Sequence, residues 1–312
     1  MPKNKRKGGA AVALRPAPKG REVDGRALDE VRALLGDRAR HADLLIEHLH
    51  LIQDAYGHLS SARLTALAFE LRLTPAEVYE VASFYHHFDI VKEKEAPPPP
   101  VTVRVCESIA CALAGCDQLI EDVRAHAGAG VRVLAAPCVG RCEAAPVAVV
   151  GTNAIGRASQ DVVVDAVRDG RTTHVPQPFV AYDDYRANGG YAVLAACAEG
   201  RRSVDDVIAT VDGAGLRGLG GAGFPTSRKW TFVRAEPKPR VVALNADEGE
   251  PGTFKDRVCI ESDPHRVLEG LLVAAWVVEA EDVYIYLRDE YAGCRAILTR
   301  ELDALRADPP CA

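Results

Sequence analysis

The chain has 312 residues and a formal net charge of −6, with 48% hydrophobic and 26% charged residues. Its length points to two or three domains, and no apolar run approaches the roughly 18 residues of a membrane-spanning helix, so a soluble, cytoplasmic protein is expected. Lys3, Lys5, Arg6, Lys7, Arg15, Lys19 and Arg21 concentrate positive charge in an acid-free start, leaving the body near about −13; such a body excludes general nucleic-acid binding, which needs a positive contact surface. Nine cysteines without a recognisable secretory leader also argue against a disulfide framework.

Residues 1–25 read as a disordered basic tail, broken by Pro and Gly and suited to docking on an acidic partner. Residues 26–96 read as a helical bundle. Leu45, Leu49, Ile52 and Tyr56 recur along one helical face that Gly57 ends, and Leu64, Leu67, Ala68 and Leu71 give a second stripe. Thr74-Pro75-Ala76-Glu77 then supplies an N-cap, a first-turn proline and a reciprocal Glu for a third helix. A DNA-reading helix pair is disfavoured, because Glu77 and Glu80 would meet phosphate with no Lys or Arg before Lys92. His41, His48, His50, His58, His86 and His87 show no convincing ligand spacing and read as solvated or capping residues.

Pro97 to Pro100 form a stiff linker, after which residues 101–172 read as strand, helix, strand, strand, helix: a small thioredoxin-like α/β layer. Val101 to Val105 runs into Cys106, with Cys111 beyond; Val131 to Leu134 leads toward Cys138 and Cys142. Two thiolate pairs at strand ends suit zinc or an iron–sulfur cluster. Zinc knuckles draw each pair from a turn with about two intervening residues, whereas the gaps here are four and three, which favours [2Fe–2S]. Cys116 falls beside a helix expected over Asp117 to Ala127 and reads as a spare thiol.

Residues 173–188 read as a second linker and 189–312 as a further α/β domain. A helix through Val204, Val207, Ile208 and Val211 stops at Gly213, and a glycine-rich run from Gly215 to Thr226 follows. Gly218, Gly220 and Gly223 satisfy G-x-G-x-x-G, but the run leaves a helix rather than a strand, so a standard dinucleotide fingerprint is disfavoured. Its physical content survives: backbone N–H groups and the start of a helix over Thr226 to Arg234 suit a phosphate, and Lys229 adds charge. A buried-type strand, Arg240 to Leu244, ends in Asn245-Ala246-Asp247-Glu248-Gly249-Glu250-Pro251-Gly252, whose oxygens can accept sugar hydroxyls. A nucleotide or flavin satisfies both halves.

At these residues the chain resembles the NADH-oxidising module of respiratory complex I, with two subunits joined in one polypeptide. The cysteine-bearing part resembles the small [2Fe–2S] subunit. Gly-Leu-Arg-Gly-Leu-Gly-Gly-Ala-Gly-Phe-Pro-Thr (215–226) and Asn-Ala-Asp-Glu-Gly-Glu-Pro-Gly-Thr-Phe-Lys-Asp-Arg (245–257) resemble the flavoprotein subunit. The resemblance implies an α/β multidomain chain ending in the N-terminal part of an FMN/NADH-binding Rossmann-like domain, with Cys106, Cys111, Cys138 and Cys142 as cluster ligands. It implies that Gly218, Gly220, Lys229, Asn245, Asp247 and Glu248 line FMN. Gly221, Ala222, Phe224, Phe232 and Glu250, with Gly223 in the same loop, would face NAD(H), the two phenylalanines stacking on adenine.

Leu219 stands where complex I itself commonly has Arg. That difference, with Leu44 to Asp54 and Ala136 to Gly140, resembles the fused β (diaphorase) subunits of soluble NAD-dependent formate dehydrogenases; those of NAD-reducing hydrogenases or of a complex I-like NADH dehydrogenase are the alternative. The resemblance implies hydride exchange between FMN and NAD(H), and electron transfer to or from a molybdenum- or tungsten-containing formate dehydrogenase α subunit with its own iron–sulfur clusters. The hydride step needs no side-chain acid or base. The family continues past the point where these 312 residues stop, so an incomplete FMN site is expected, with [4Fe–4S] only in the part beyond. An electron-transfer or scaffold subunit that holds no flavin is the competing class.

Overall fold

The computed structural model describes residues 22–311; the basic-tail expectation lies largely outside them. The chain divides into two compact units at Pro100–Val101.

In the first unit, α1 (Gly25–Leu35), α2 (Leu45–Tyr56), α3 (Ser61–Leu71) and α4 (Pro75–Phe84) enclose one apolar core. A two-residue parallel pair, β1 (Leu59–Ser60) and β2 (Ile90–Val91), ties the start of α3 to the chain beyond α4. Thr74 and Glu77 form the expected capping box, and Gly57 ends α2 at φ +71°. The sequence reading contains three helices; α1 is the addition. Asp24 caps it through Ala27 N–H at 2.8 Å, and Val31 and Leu35 fill the core. Arg63–Glu30 at 2.9 Å and Arg32–Glu70 at 2.8 Å bind α1 to α3.

The second unit begins with a four-stranded sheet ordered β4-β3-β5-β6: β3 (Val101–Cys106), β4 (Val131–Ala136), β5 (Ala148–Val150) and β6 (Asn153–Ile155). β3 and β4 run parallel with Cys106 opposite Ala136, and β5 is antiparallel to both its neighbours. Two helices, α5 (Ile109–Leu113) and α6 (Cys116–His126), replace the single expected one because Gly115 takes φ +86° between them. Cys116 is a core residue of this layer, not a loose thiol. α7 (Gln160–Arg168) closes it, with Val163 and Ala166 buried.

The remaining elements are α8 (Tyr182–Ala187), α9 (Ala192–Ala198), α10 (Val204–Gly213), α11 (Thr226–Ala235), β7 (Val241–Ala246), α12 (Lys255–Ser262), α13 (Pro264–Val278), β8 (Asp282–Leu287) and α14 (Ala292–Ala307). α8 falls inside the expected 173–188 linker, where Tyr182 is buried. β7 pairs in parallel with β8 and alternates in exposure, Val241 being 53% exposed, so it is not the fully buried strand expected from its composition. Parallel strands are ordinarily covered on both faces; among the described residues, β7 and β8 form a two-stranded sheet.

A buried carboxylate organises the helices around α13. Glu301 on α14 accepts from Tyr182 N–H at 2.9 Å, from His265 Nε2 at 2.8 Å and from Arg300 at 2.6 Å. Burial pushes its carboxyl up, but these donors outweigh that cost and hold it below the usual carboxylate range. Its stabilisation is therefore fully present above the unfolded value of about 4.3 and is lost as pH falls through the lower folded value. Glu301→Gln is expected to destabilise the folded chain by about 2 kcal/mol near neutral pH. In denaturant unfolding followed against pH, the gap to wild type should close in acid; a gap independent of pH would refute the assignment.

Candidate functional site

Cys106 is the last residue of β3, Cys111 lies in α5, and Cys138 and Cys142 sit in the turn that leaves β4. Cys106, Cys111 and Cys138 are buried, and all four are free thiols. Cys138 Sγ and Cys142 Sγ are 3.4 Å apart. Burial first, and then the neighbouring Cys106, push the Cys111 thiol up to about 12, so a metal's positive charge is what would make these groups thiolates. Two pairs of thiolates with gaps of four and three residues are the donor set that a two-iron cluster requires. Backbone N–H groups already point at this sulfur set: Gly140 donates to Cys138 Sγ at 3.4 Å and Gly252 to Cys142 Sγ at 3.2 Å. The donor set fits [2Fe–2S].

Gly252 belongs to the acidic run after β7, so this run touches a cysteine of the cluster loop. Two buried arginines reinforce the contact. Arg257 of α12 donates to Gly140 C=O at 3.0 Å and pairs with Glu261 at 2.7 Å and with Glu143. Arg288, just after β8, donates to Glu248 C=O at 2.6 Å and to Cys138 C=O, and pairs with Glu290 at 2.9 Å. Arg141 of the cluster loop reaches Glu261 at 2.6 Å. Gly140 has φ +68°, and a Cβ there would overlap the Tyr291 ring. Sequence reading passed over Arg288 and Tyr291, which no local motif marks; Arg257 lies at the end of the 245–257 motif.

The glycine-rich loop is a shallow, exposed turn ahead of α11. Gly218 N–H bonds Phe224 C=O at 3.0 Å, Arg217 bonds Gly223 C=O at 3.0 Å, and Gly221 and Gly223 take φ +102° and +60°. Lys229 Nζ would stand 4.0 Å from a Cβ on Gly218, which places its charge over the loop. Gly220, Gly221 and Ala222 are exposed, and no side chain caps the start of α11; Thr226 N–H bonds Leu216 C=O at 3.0 Å, so only the N–H groups after it in the first turn can serve an anion. Phe224 and Phe232 come together at 6.2 Å between centroids, tilted by 47°; they are not the parallel, doubly spaced pair that would sandwich a base between them.

Asn245, Asp247 and Glu250 are exposed at the end of β7, and Asn245 Oδ1 accepts from Asp247 N–H at 3.0 Å. Glu248, expected to line the flavin, turns inward. Its carboxylate is buried, accepting from Asp256 N–H at 2.9 Å, Arg257 N–H at 3.3 Å and Tyr291 hydroxyl at 3.0 Å. Desolvation is outweighed by these donors, which hold the carboxyl low; the carboxylate caps the start of α12. Cavities of about 440 Å³ and 260 Å³ lie elsewhere, and neither is lined by the glycine-rich loop.

Residues 211–309 match the Nuo51 FMN-binding domain family, and residues 31–171 match the thioredoxin-like [2Fe–2S] ferredoxin family. The chain is thus a mixed α/β protein with a thioredoxin-like [2Fe–2S] domain and an FMN-binding domain, and its cofactors are FMN and [2Fe–2S]. It is related to the NAD-reducing hydrogenase HoxS subunit alpha of Cupriavidus necator, 29% identical over 92% of this chain and 52% of the relative. A component of the NADH-quinone oxidoreductase of Rhizobium meliloti is 52% identical over 34% of this chain and 25% of its own length. The mitochondrial NADH-ubiquinone oxidoreductase 51 kDa subunit of Neurospora crassa is 46% identical over 33% of this chain and 22% of its own length. The crystal structure of an air-oxidised NAD⁺-reducing [NiFe]-hydrogenase superposes with a TM-score of 0.67 and 28% identity, over 86% of this chain and 51% of that one. The chain therefore spans about half the length of the relatives it matches throughout, and about a quarter of those it matches over the flavin region.

Reduced wild-type chain is expected to give a [2Fe–2S] electron paramagnetic resonance signal that Cys138→Ser abolishes or shifts and Cys116→Ser leaves alone. An unchanged signal in Cys138→Ser would refute the ligand set. Gly140→Ala should cost about 2 kcal/mol or more, through backbone strain plus collision with Tyr291; a melting temperature equal to wild type would refute the tight docking of this loop.

Proposed function

We propose that this chain is a diaphorase-type electron-transfer subunit that exchanges hydride between NAD(H) and FMN and passes electrons through its [2Fe–2S] cluster to a metal-containing partner. The observation that carries this reading is the bond from Gly252 N–H to Cys142 Sγ at 3.2 Å, because it joins the flavin motif to a cluster cysteine directly. FMN, when bound, supplies the conversion between a two-electron hydride and single electrons.

The protein's part is position and charge. Gly218 and Gly220 let the loop approach the flavin closely, and N–H groups at the start of α11, with Lys229, hold its phosphate, while Asn245 and Asp247 accept from sugar hydroxyls. Phe224, Phe232 and Glu250 face the dinucleotide, one ring stacking and the other backing it. Glu248 supports the strand end from behind, and Cys106, Cys111, Cys138 and Cys142 ligate the cluster. In this reading residues 26–96, 101–172 and 189–312 are the bundle, cluster and flavin domains, the chain is cytoplasmic, and no side chain acts as acid or base in the hydride step. Among the described residues no helix is long and apolar enough to cross a membrane.

For the partner we favour a formate-oxidising molybdenum or tungsten subunit, on the strength of Leu219 and the stretches 44–54 and 136–140. A hydrogenase partner is the second reading, favoured by the match along 92% of the chain to the NAD-reducing hydrogenase subunit. Molybdenum or tungsten, as against nickel, in the complex that co-purifies with the chain separates the two.

The chain loaded with FMN and cluster is expected to reduce ferricyanide with NADH and to quench flavin fluorescence on binding. Lys229→Ala should weaken FMN by about tenfold or more, the worth of one charge-assisted hydrogen bond. Absence of both flavin binding and NADH:ferricyanide activity would overturn the diaphorase reading for this chain and leave the electron-transfer or scaffold class.

A further inference from the structure

The first unit holds a chemical grouping that the electron-transfer reading does not use. His50 and Asp54 stand four residues apart on α2, hence one turn apart on the same face. His87 lies in the turn after α4, where the chain heads back toward β2. One ligand atom from each of the three lies within 4.8 Å of the others. Zinc bonds of about 2.0 to 2.2 Å to imidazole nitrogen and carboxylate oxygen would close that triangle with small side-chain adjustments.

The two imidazoles are held by packing. Their centroids are 5.4 Å apart at 38°, and the buried Phe88 ring lies 4.9 Å from His50 and 5.7 Å from His87. Rings fixed against the core lose little freedom when they bind an ion, which is the preorganisation a metal site needs. Asp54 is exposed, so a fourth position would open to water. Two nitrogens and one oxygen form a borderline donor set suited to zinc and poorly matched to magnesium or calcium, which prefer all-oxygen shells. The sulfur cluster belongs to the other unit and shares none of these residues.

We propose that His50, Asp54 and His87 bind one divalent transition-metal ion, with zinc as the test probe, pinning the second half of α2 to the connection between α4 and β2. Metal binding would give His50 and His87 a role other than the solvated or capping one expected from the sequence; His48, expected likewise, is buried and bonded to Ala39 C=O at 3.0 Å. The segments involved are far apart in sequence, and only the fold brings them together.

The test uses the full chain with its iron–sulfur cluster assembled, so that the cluster cysteines are occupied by iron. Zinc affinity is measured by competition with a chromophoric chelator, and zinc and iron per chain by elemental analysis. Wild type is expected to take up one zinc with its iron unchanged, and to gain melting temperature in its presence. His50→Gln, His87→Ala and Asp54→Asn should each weaken zinc by about tenfold or more, since even residues that only support a ligand typically cost 10- to 100-fold. Asp54→Asn is isosteric and at the surface, so it decides the matter if a histidine variant fails to fold. Failure of wild type to bind zinc, or equal binding by wild type and Asp54→Asn, would overturn the proposal.

Discussion

Two guanidinium groups from the flavin side grip the cluster loop by its main chain, and the arrangement of the second unit depends on that grip. A buried arginine is tolerable only if its charge is paired and its five N–H donors find acceptors. Arg257 and Arg288 meet this condition by dividing their donors: carboxylates from their own neighbourhood neutralise the charge, while carbonyls of Gly140 and Cys138 take further N–H groups. The planar fork suits such shared duty better than a lysine ammonium would. Satisfying the arginines thus requires the cluster loop to stay seated, and the loop in turn presents Cys142 to Gly252.

Inward-facing glutamates play the complementary part. Glu248 gathers the start of α12 and Tyr291, Glu301 gathers Tyr182 and His265, and Glu269 accepts from Tyr185 hydroxyl at 2.7 Å and Tyr191 N–H at 2.9 Å. Each joins segments that are distant in sequence through donors that would otherwise be buried and unmet. Such carboxylates are costly to desolvate and become useful only when several donors converge. The unit is therefore fastened by polar cross-ties between small apolar clusters as well as by apolar packing.

Local signals carried much of the architecture. Thr74-Pro75-Ala76-Glu77 announced its helix, Gly57 and Gly213 marked helix ends, and the alternation before Cys106 and Cys138 gave the strands, because caps and pleats are decided within a few residues. α1 was also legible in principle from Asp24 and the spacing of Ala27, Val31 and Leu35. Gly115, which splits α5 from α6, and the short α9 give weaker signals. At the candidate site the cysteines and the glycine-rich loop could be read from spacing. The inward turn of Glu248, the exposure of β7 and the meeting of His50 with His87 could not, since each is fixed by neighbours from other parts of the chain.

The link between Gly252 and Cys142 has a genetic corollary. Its donor is a main-chain amide at φ +91°, a backbone setting that side-chain-bearing residues rarely adopt. Scanning mutagenesis that trims side chains would pass over it: there is no side chain to remove, and a replacement at 252 alters the turn before it touches the bond. Proline would delete the N–H but cannot take that φ. The connection between the two redox regions is thus written in backbone geometry, and isotope labelling of that one amide would reveal more of it than a library of point variants.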